Sequence, residues 1–189
     1  MPGRTDWDAA RVRRERDRFR AEIRVRPSKI DVPGHGQESV WGYSRPPRIE
    51  RESRPVRVEL AGVVLAQSVQ AVRVLETSSP PTVYLPPSDV RFSSVRKMPE
   101  RTLCEWKGLA VYWEAKVGVR VARAIAWSYP EPFPEYAALQ DWIAFFPGRV
   151  DGCWLGEERV RPQPGEYYGG WVTDDVVGPF KGEPGSERW

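Results

Sequence analysis

The stretch LCEWKGLAVYWEAKVGVRVARAIAW at residues 103–127 decides the fold of this chain. Its segments are rich in valine and aromatic residues, which is typical of strands, and each break between them holds a glycine, which is typical of a tight turn. We predict strands at 103–106, 109–117 and 119–127, with turns at Lys107-Gly108 and at Gly118. Three strands joined by such short turns pair in antiparallel order.

Further strand signals lie on both sides of this stretch. A period-two alternation over 56–60 and the turn residues Ala61-Gly62 predict a hairpin with a strand at 63–66. Other predicted strands are 71–75, 82–85, 143–146 and 150–155, and a proline in the first turn predicts a short helix at 134–142. No strand–helix–strand rhythm appears, which argues against a parallel α/β sheet. We expect a mainly β fold, a small antiparallel domain with one or two short helices.

The chain divides into three parts. Residues 1–28 form a basic arm, in which Thr5 can cap a helix over 5–24 and Asp6 and Asp8 favour its positive end. Residues 29–55 are a proline-rich connector that we expect to dock on the domain through Trp41 and Tyr43. Residues 56–189 form a single β domain.

Charge and composition narrow the function classes. Residues 1–29 carry ten basic and five acidic side chains, and the remaining 19 basic and 21 acidic residues leave the domain close to neutral. Acids interleave with the arginines of the arm and no nucleic-acid reading motif is present, so a solvated or partner-binding helix is favoured over a nucleic-acid contact. The sequence shows no secretory signal and no membrane-spanning apolar run, and its two cysteines give no disulfide framework, so we expect a cytoplasmic protein without a membrane partner.

An ordered set of short motifs resembles a bacterial family, the domain of unknown function 427. The motifs are Ser39-Val-Trp41, Arg45-Pro-Pro47, Arg73-Val-Leu-Glu76, Tyr84-Leu-Pro-Pro87, Cys104-Glu-Trp-Lys-Gly108, Ala126-Trp-Ser-Tyr-Pro130, Phe146-Pro-Gly-Arg-Val-Asp151, Tyr168-Gly-Gly-Trp171 and Gly178-Pro-Phe-Lys-Gly182. The resemblance runs from about residue 38 to the end of the chain.

The resemblance implies a β-tent fold, which often holds zinc with two Cys-x-x-Cys pairs. This chain has two separate cysteines and one histidine, which do not make a tetrahedral zinc site, so we expect no metal and no cofactor. The family is sometimes labelled nucleotidyltransferase-like, but no phosphate-binding glycine loop and no hydrolase motif supports that activity here.

The aromatic residues give the leading candidate site. Trp106, Trp127 and Tyr129 are expected to wall a pocket for a flat or cationic group, with Lys107 and Arg73 as polar contacts. Trp113 belongs to the same group of rings. The alternative is that these rings only fill the core, since most aromatic clusters in small domains do so.

Charged residues and cysteines extend the candidate set. Glu76 and Asp151 are ligand-binding candidates that have neighbouring arginines as alternative partners. Cys104 is a nucleophile only if a base or a positive field, such as Lys107, lies beside it, and otherwise it is a small apolar core residue. The sequence therefore assigns no catalytic residue.

Three functions remain open at this level. The first is a module that binds a small molecule or a peptide-like group in an aromatic pocket. The second is an enzyme on a small polar substrate that uses Cys104, Lys107 or Asp151. The third is a protein-interaction module that acts through the N-terminal helix.

Overall fold

The computed structural model describes residues 7–189, and this range is mainly β as expected. Its single α-helix is α1 (Ala9–Ala21). The strands are β1 (Glu38–Ser39), β2 (Arg48–Arg51), β3 (Val56–Leu60), β4 (Val63–Ser68), β5 (Val72–Leu75), β6 (Thr82–Leu85), β7 (Val95–Cys104), β8 (Gly108–Val117), β9 (Arg120–Ser128), β10 (Ile143–Phe145), β11 (Gly152–Leu155), β12 (Glu158–Arg159), β13 (Arg161–Pro162), β14 (Trp171–Val172) and β15 (Val176–Val177). Short 3₁₀ helices span Val40–Gly42, Pro87–Asp89, Phe92–Ser94, Pro134–Leu139 and Pro147–Arg149.

Two antiparallel sheets form the body of the domain. The larger has seven strands in the order β2-β5-β6-β10-β9-β8-β7, and the smaller has four in the order β12-β11-β3-β4. There are two minor pairings: β1 with β15 joins the connector to the C-terminal segment, and β13 with β14 joins two parts of the chain that follow β12. The antiparallel architecture predicted from the sequence is confirmed.

The seven-stranded sheet buries a different core on each of its faces. One face packs against the four-stranded sheet through a cluster that includes Leu60, Leu65, Phe145 and Trp171. The opposite face carries a second cluster, which includes Tyr84, Trp127 and Tyr129. Because side chains alternate along a strand, neighbouring residues such as Ala126 and Trp127 belong to opposite faces.

Turn chemistry explains the hairpins. Ala61 and Gly62 have φ angles of 50° and 73°, so the predicted β3–β4 turn has the two positive φ angles of a type I′ hairpin. The β7–β8 turn differs from the prediction, because Cys104 pairs with Gly108 and the turn is Glu105-Trp106-Lys107. Trp106 therefore lies in the turn and not on a strand.

Strand β7 is longer than the sequence indicates. It begins at Val95, while the predicted strand begins at residue 103. A register irregularity between Lys97 and Arg101 accommodates Pro99, which is tolerated because β7 is an edge strand. The predicted helix at 134–142 is a 3₁₀ helix that ends at Leu139.

Helix α1 packs on the β7–β8 turn. Its N-cap is Asp8, whose carboxylate accepts a hydrogen bond from the Arg11 backbone N–H at 2.7 Å, whereas Thr5 and Asp6 lie outside the described residues. Arg20 donates to the Glu105 carbonyl at 2.7 Å and lies 4.9 Å from the Trp106 ring centroid. The helix buries no residue fully, and no helix within residues 7–189 is long and apolar enough to cross a membrane.

The connector contributes more structure than the sequence indicates. Strand β2 is an edge strand of the seven-stranded sheet. Trp41 and Tyr43 are buried in a third core with Val176. The Trp41 ring meets Trp189 edge-on at 5.6 Å, so the C-terminal residue packs beside the connector.

Deletion of residues 1–28 tests the role of the helix. The deletion removes the Arg20 contacts with the β7–β8 turn and the hydrogen bond from Val25 to the Arg188 carbonyl. Because each such contact contributes roughly 0.5–1 kcal/mol, we expect unfolding to stay cooperative with a loss of about 2 kcal/mol. Urea denaturation followed by circular dichroism measures this. Loss of the cooperative transition would show that the helix belongs to the core.

Candidate functional site

A cavity of about 370 Å³ lies on the face of the seven-stranded sheet that carries the second aromatic cluster. Its floor is formed by strands β5 to β9, and its walls by the segment that follows β13 and by the C-terminal residues. Phe19, Glu22 and Arg24 line it from the end of α1 and the residues just beyond. The N-terminal arm and the C-terminal segment therefore both border the opening.

The alternation of side chains along each strand explains which of them reach the cavity. Strands β6, β7 and β8 each supply two residues that lie two positions apart on one face of the sheet, and β9 does so together with the residue directly after it. These pairs are Thr82 and Tyr84, Thr102 and Cys104, Ala110 and Tyr112, and Trp127 and Tyr129.

Three aromatic rings form a continuous wall. The Trp127 and Phe146 centroids are 4.3 Å apart, and Tyr112 stacks on Phe146 at 6.5 Å with an interplanar angle of 17°. Arg149 lies 4.1 Å from the Phe146 centroid, and the Tyr112 hydroxyl shares a 2.7 Å hydrogen bond with Thr102. The wall offers flat apolar surface whose orientation is fixed by contacts.

The β7–β8 turn places a buried cation at the cavity. Lys107 is only 7% exposed, and its Nζ lies 3.8 Å from Oε2 of Glu76. The other carboxylate oxygen of Glu76, Oε1, accepts a hydrogen bond from Arg45 at 2.9 Å. Burial lowers the pKa of Lys107, but Cys104, Glu76 and nearby tyrosines outweigh it, so the net direction is upward. The side chain therefore stays an ammonium ion.

Tyrosine hydroxyls line the deep part of the cavity. The indole N–H of Trp127 donates to the Tyr84 hydroxyl at 3.2 Å. Burial raises the pKa of Tyr84 to about 12, although Lys107 opposes the shift. Burial, with a further contribution from Cys104, raises the pKa of Tyr129 well above its usual value. Both phenols are therefore protonated at neutral pH.

Charges around the opening are balanced. Four basic side chains line the cavity (Arg24, Arg45, Lys107 and Lys181) and four acidic ones (Glu22, Glu76, Glu105 and Glu187). Glu105 connects two of the arginines, with distances of 3.6 Å to Arg24 and 3.4 Å to Arg45. Burial lowers the pKa of Lys181, and the positive charges of Arg24 and Arg45 lower it further. The cavity thus presents dipoles and paired charges with no surplus of either sign.

Four of the residues proposed from the sequence come together at this cavity. They are Glu76, Lys107, Trp127 and Tyr129. The structure places Cys104 beside them.

The other proposed residues lie elsewhere. Arg73 is three positions from Glu76, so it lies on the opposite face of β5, where it pairs with Glu38 and with Glu50 (2.9 Å) beside a separate depression. Asp151 pairs with Arg120 at 2.7 Å and accepts a hydrogen bond from the Ala61 N–H.

Two of the predicted rings also lie outside the cavity. Trp106, in the turn, packs against Arg20. Trp113 lies in the core between the sheets and donates to Ser128 at 3.0 Å.

Sequence reasoning missed several cavity residues. Tyr84, Tyr112 and Phe146 line the cavity but were not proposed as site residues. The sequence did contain a signal for Tyr112, because side chains two positions apart on a strand, such as Ala110 and Tyr112, lie on the same face of the sheet. Gly169 was also missed. Its role depends on a contact with Trp127, and the two residues are far apart in the sequence.

No group of three or more metal-ligating side chains occurs within residues 7–189. Of the two cysteines, Cys104 is half-buried at the cavity, whereas Cys153 is 1% exposed in the core between the sheets. Burial raises the pKa of the Cys153 thiol, which keeps it unreactive.

Gly169→Ala tests the support of the aromatic wall. A methyl group at Gly169 would overlap the Trp127 indole and press on Phe146, so we expect the rings to shift into the cavity with a loss of about 1–3 kcal/mol in stability. Near-UV circular dichroism and urea denaturation measure both effects. Gly42→Ala is the matched control, because nothing lies within 4 Å of its added methyl group. Equal effects of the two substitutions would contradict this role for Gly169.

Comparison with known proteins places the chain in a family. Its residues 48–156, more than half of the chain, match a family model described as "Domain of unknown function (DUF427)" and named NTP_transf_9. No curated protein sequence matches the chain. The matched range contains strands β2 to β11, and with them Glu76, Tyr84, Cys104, Lys107, Trp127, Tyr129 and Phe146 of the cavity. The chain therefore belongs to the DUF427 family.

Proposed function

We propose that this protein binds a small, uncharged or zwitterionic molecule that carries a planar group. The observation that carries the proposal is the cavity itself, in which the wall of Trp127, Phe146 and Tyr112 adjoins the buried donors Lys107 and Tyr84. Small-molecule sites typically combine an apolar aromatic lining with a few fixed polar groups in a volume of about 300–1,000 Å³. At about 370 Å³, this cavity suits a molecule of one or two rings.

Charge balance supports the choice of ligand class. A nucleoside triphosphate, the class to which the name of the family model points, carries several negative charges that need a surplus of cations or a glycine-rich loop. The cavity has equal numbers of acidic and basic side chains, and Lys107 already pairs with Glu76. A carboxylate–amine zwitterion or a neutral amide-like group fits this set better, because each end finds an opposite charge.

The position of the N-terminal helix favours ligand binding over a protein-interaction role for that helix. Phe19 of α1 lines the cavity and Arg20 packs on Trp106, so this face of the helix is occupied within the chain. The helix therefore helps to close the binding site.

A thermal-shift screen followed by two matched variants tests the proposal. A ligand that binds only the native state raises the melting temperature, and we expect aromatic zwitterions such as tryptophan and neutral aromatic amides to do so more than nucleoside triphosphates. Trp127→Phe reduces the stacking surface, so we expect it to weaken a bound ligand about two- to tenfold.

Trp154→Phe is the control for this experiment. Trp154 lies in β11 on the other sheet, with Arg57 4.3 Å from its ring centroid, and it does not line the cavity. Affinity from isothermal titration calorimetry should be unchanged in this variant. The binding proposal fails if both tryptophan variants bind equally well, or if the triphosphates alone raise the melting temperature.

A further inference from the structure

The end of the N-terminal arm is attached at two points on the border of the cavity. Within residues 16–25, which we call the strap, Arg20 donates to the Glu105 carbonyl on the β7–β8 turn at 2.7 Å. Further along the strap, the Val25 N–H donates to the Arg188 carbonyl on the C-terminal segment at 2.7 Å. Glu105 and the neighbour of Arg188 both line the cavity, so the strap runs along its opening from one attachment to the other.

Side chains of the strap are part of the cavity wall. Phe19, Glu22 and Arg24 all line the cavity. Arg24 pairs with Glu22 at 2.8 Å and lies 3.6 Å from Glu105, so its charge is held at the opening. The docked strap therefore adds a ring and a paired charge to the site that the sheet provides.

Arginine side chains hold the strap in place. Arg16 and Arg20 are one helical turn apart on α1, and their guanidinium groups lie 5.5 Å and 5.9 Å from the Phe133 ring centroid. Arg20 also lies 4.9 Å from the Trp106 centroid. Apolar burial contributes little, since Ile23 is 82% exposed and α1 buries no residue fully. Contacts of this kind are individually weak.

The floor of the cavity is held much more firmly. It consists of neighbouring strands of the seven-stranded sheet, which are joined by backbone hydrogen bonds, and its rings pack in the second aromatic cluster. Segments with few buried apolar contacts open at a lower free energy than the core elements of the same protein. The strap is therefore the part of the wall that can leave while the sheets stay folded.

We propose that the strap is a gate, which leaves the opening to admit a ligand and docks again over the bound molecule. The proposal rests on the proposed function, since the molecule admitted is the one that the aromatic wall would bind. Phe19 and Arg24 can contact a ligand only while the strap is docked. Ligand binding and docking of the strap therefore favour each other by the same factor.

Alkylation of Cys104 by N-ethylmaleimide measures access to the cavity in the full chain. Cys104 is half-buried and lines the cavity, so its rate reports the fraction of molecules with the gate open. We expect Arg20→Ala to speed this reaction about tenfold, because it removes a hydrogen bond and the cation–π contacts that dock the strap. Peptide mass spectrometry gives the rate at each cysteine.

Two controls separate gating from other effects. Arg13→Ala changes an exposed arginine of the same helix, and its Cys104 rate should equal that of the unchanged protein. Cys153 is 1% exposed in the core between the sheets and reports global unfolding. Equal Cys104 rates in the two variants would overturn the gate. Acceleration of both cysteines in Arg20→Ala would overturn it as well, because the whole domain would then be opening.

The gate and the proposed binding site are tested separately, since N-ethylmaleimide needs no reversible ligand. Aromatic ligands that depend on Trp127, together with a Cys104 rate that is indifferent to Arg20, would leave the binding site and remove the gate. A Cys104 rate that depends on Arg20, in a protein that binds no aromatic zwitterion or amide, would leave the gate and remove the proposed ligand class.

Discussion

The burial of the Lys107 ammonium beside Glu76 is the constraint around which the site is organised. A buried cation is costly unless it is paired, and Glu76, the residue directly after β5, supplies the partner at 3.8 Å. Glu76 also pairs with Arg45 of the connector, and Arg45 and Arg24 both approach Glu105 in the β7–β8 turn. One network of charges thus joins the sheet, the connector, the turn and the N-terminal arm around a single cavity.

The cavity results from the way in which the two faces of one sheet are covered. The four-stranded sheet covers one face, and its aliphatic side chains pack there in a core cluster with residues of the larger sheet. Less regular segments cover the other face, where large rings and hydroxyl groups meet around about 370 Å³ of space. Gly169 matters here because the absence of a side chain lets the Trp127 ring lie against the backbone. This asymmetry leads us to propose a binding site on one face only.

Much of the fold follows from local sequence signals. The β3–β4 hairpin was predictable because Ala61-Gly62 has the turn chemistry that a two-residue hairpin demands, and β8 and β9 were predictable from valine and aromatic residues broken by Gly118. The start of β7 was not predictable, because its residues are mostly charged and include Pro99, which is unfavourable in a strand. The strand forms there because a register irregularity between Lys97 and Arg101 accommodates the proline. Strand β2 was missed because prolines surround it.

The site was predictable only in part, for a physical reason. The sequence motifs pointed to Lys107, Glu76, Trp127 and Tyr129, and the fold brings these four residues to one cavity. Arg73 and Glu76 are three positions apart, so their side chains lie on opposite faces of the sheet. The β7–β8 turn begins at Glu105, two residues earlier than predicted, which places Trp106 outside the cavity. Contacts between distant segments, such as Gly169 with Trp127 or Arg45 with Glu76, leave no local pattern in the sequence.

The free energy of unfolding of Lys107→Met tests most directly whether Lys107 serves the site and not the fold. Methionine fills a similar volume, and Glu76 keeps Arg45 as a partner at 2.9 Å. Because the cost of burying the ammonium disappears, the account predicts a stability within about 1 kcal/mol of the unchanged protein, or higher. Urea denaturation at neutral pH gives the value. A loss of about 3–5 kcal/mol, which is the cost of breaking a structural buried ion pair, would contradict the account.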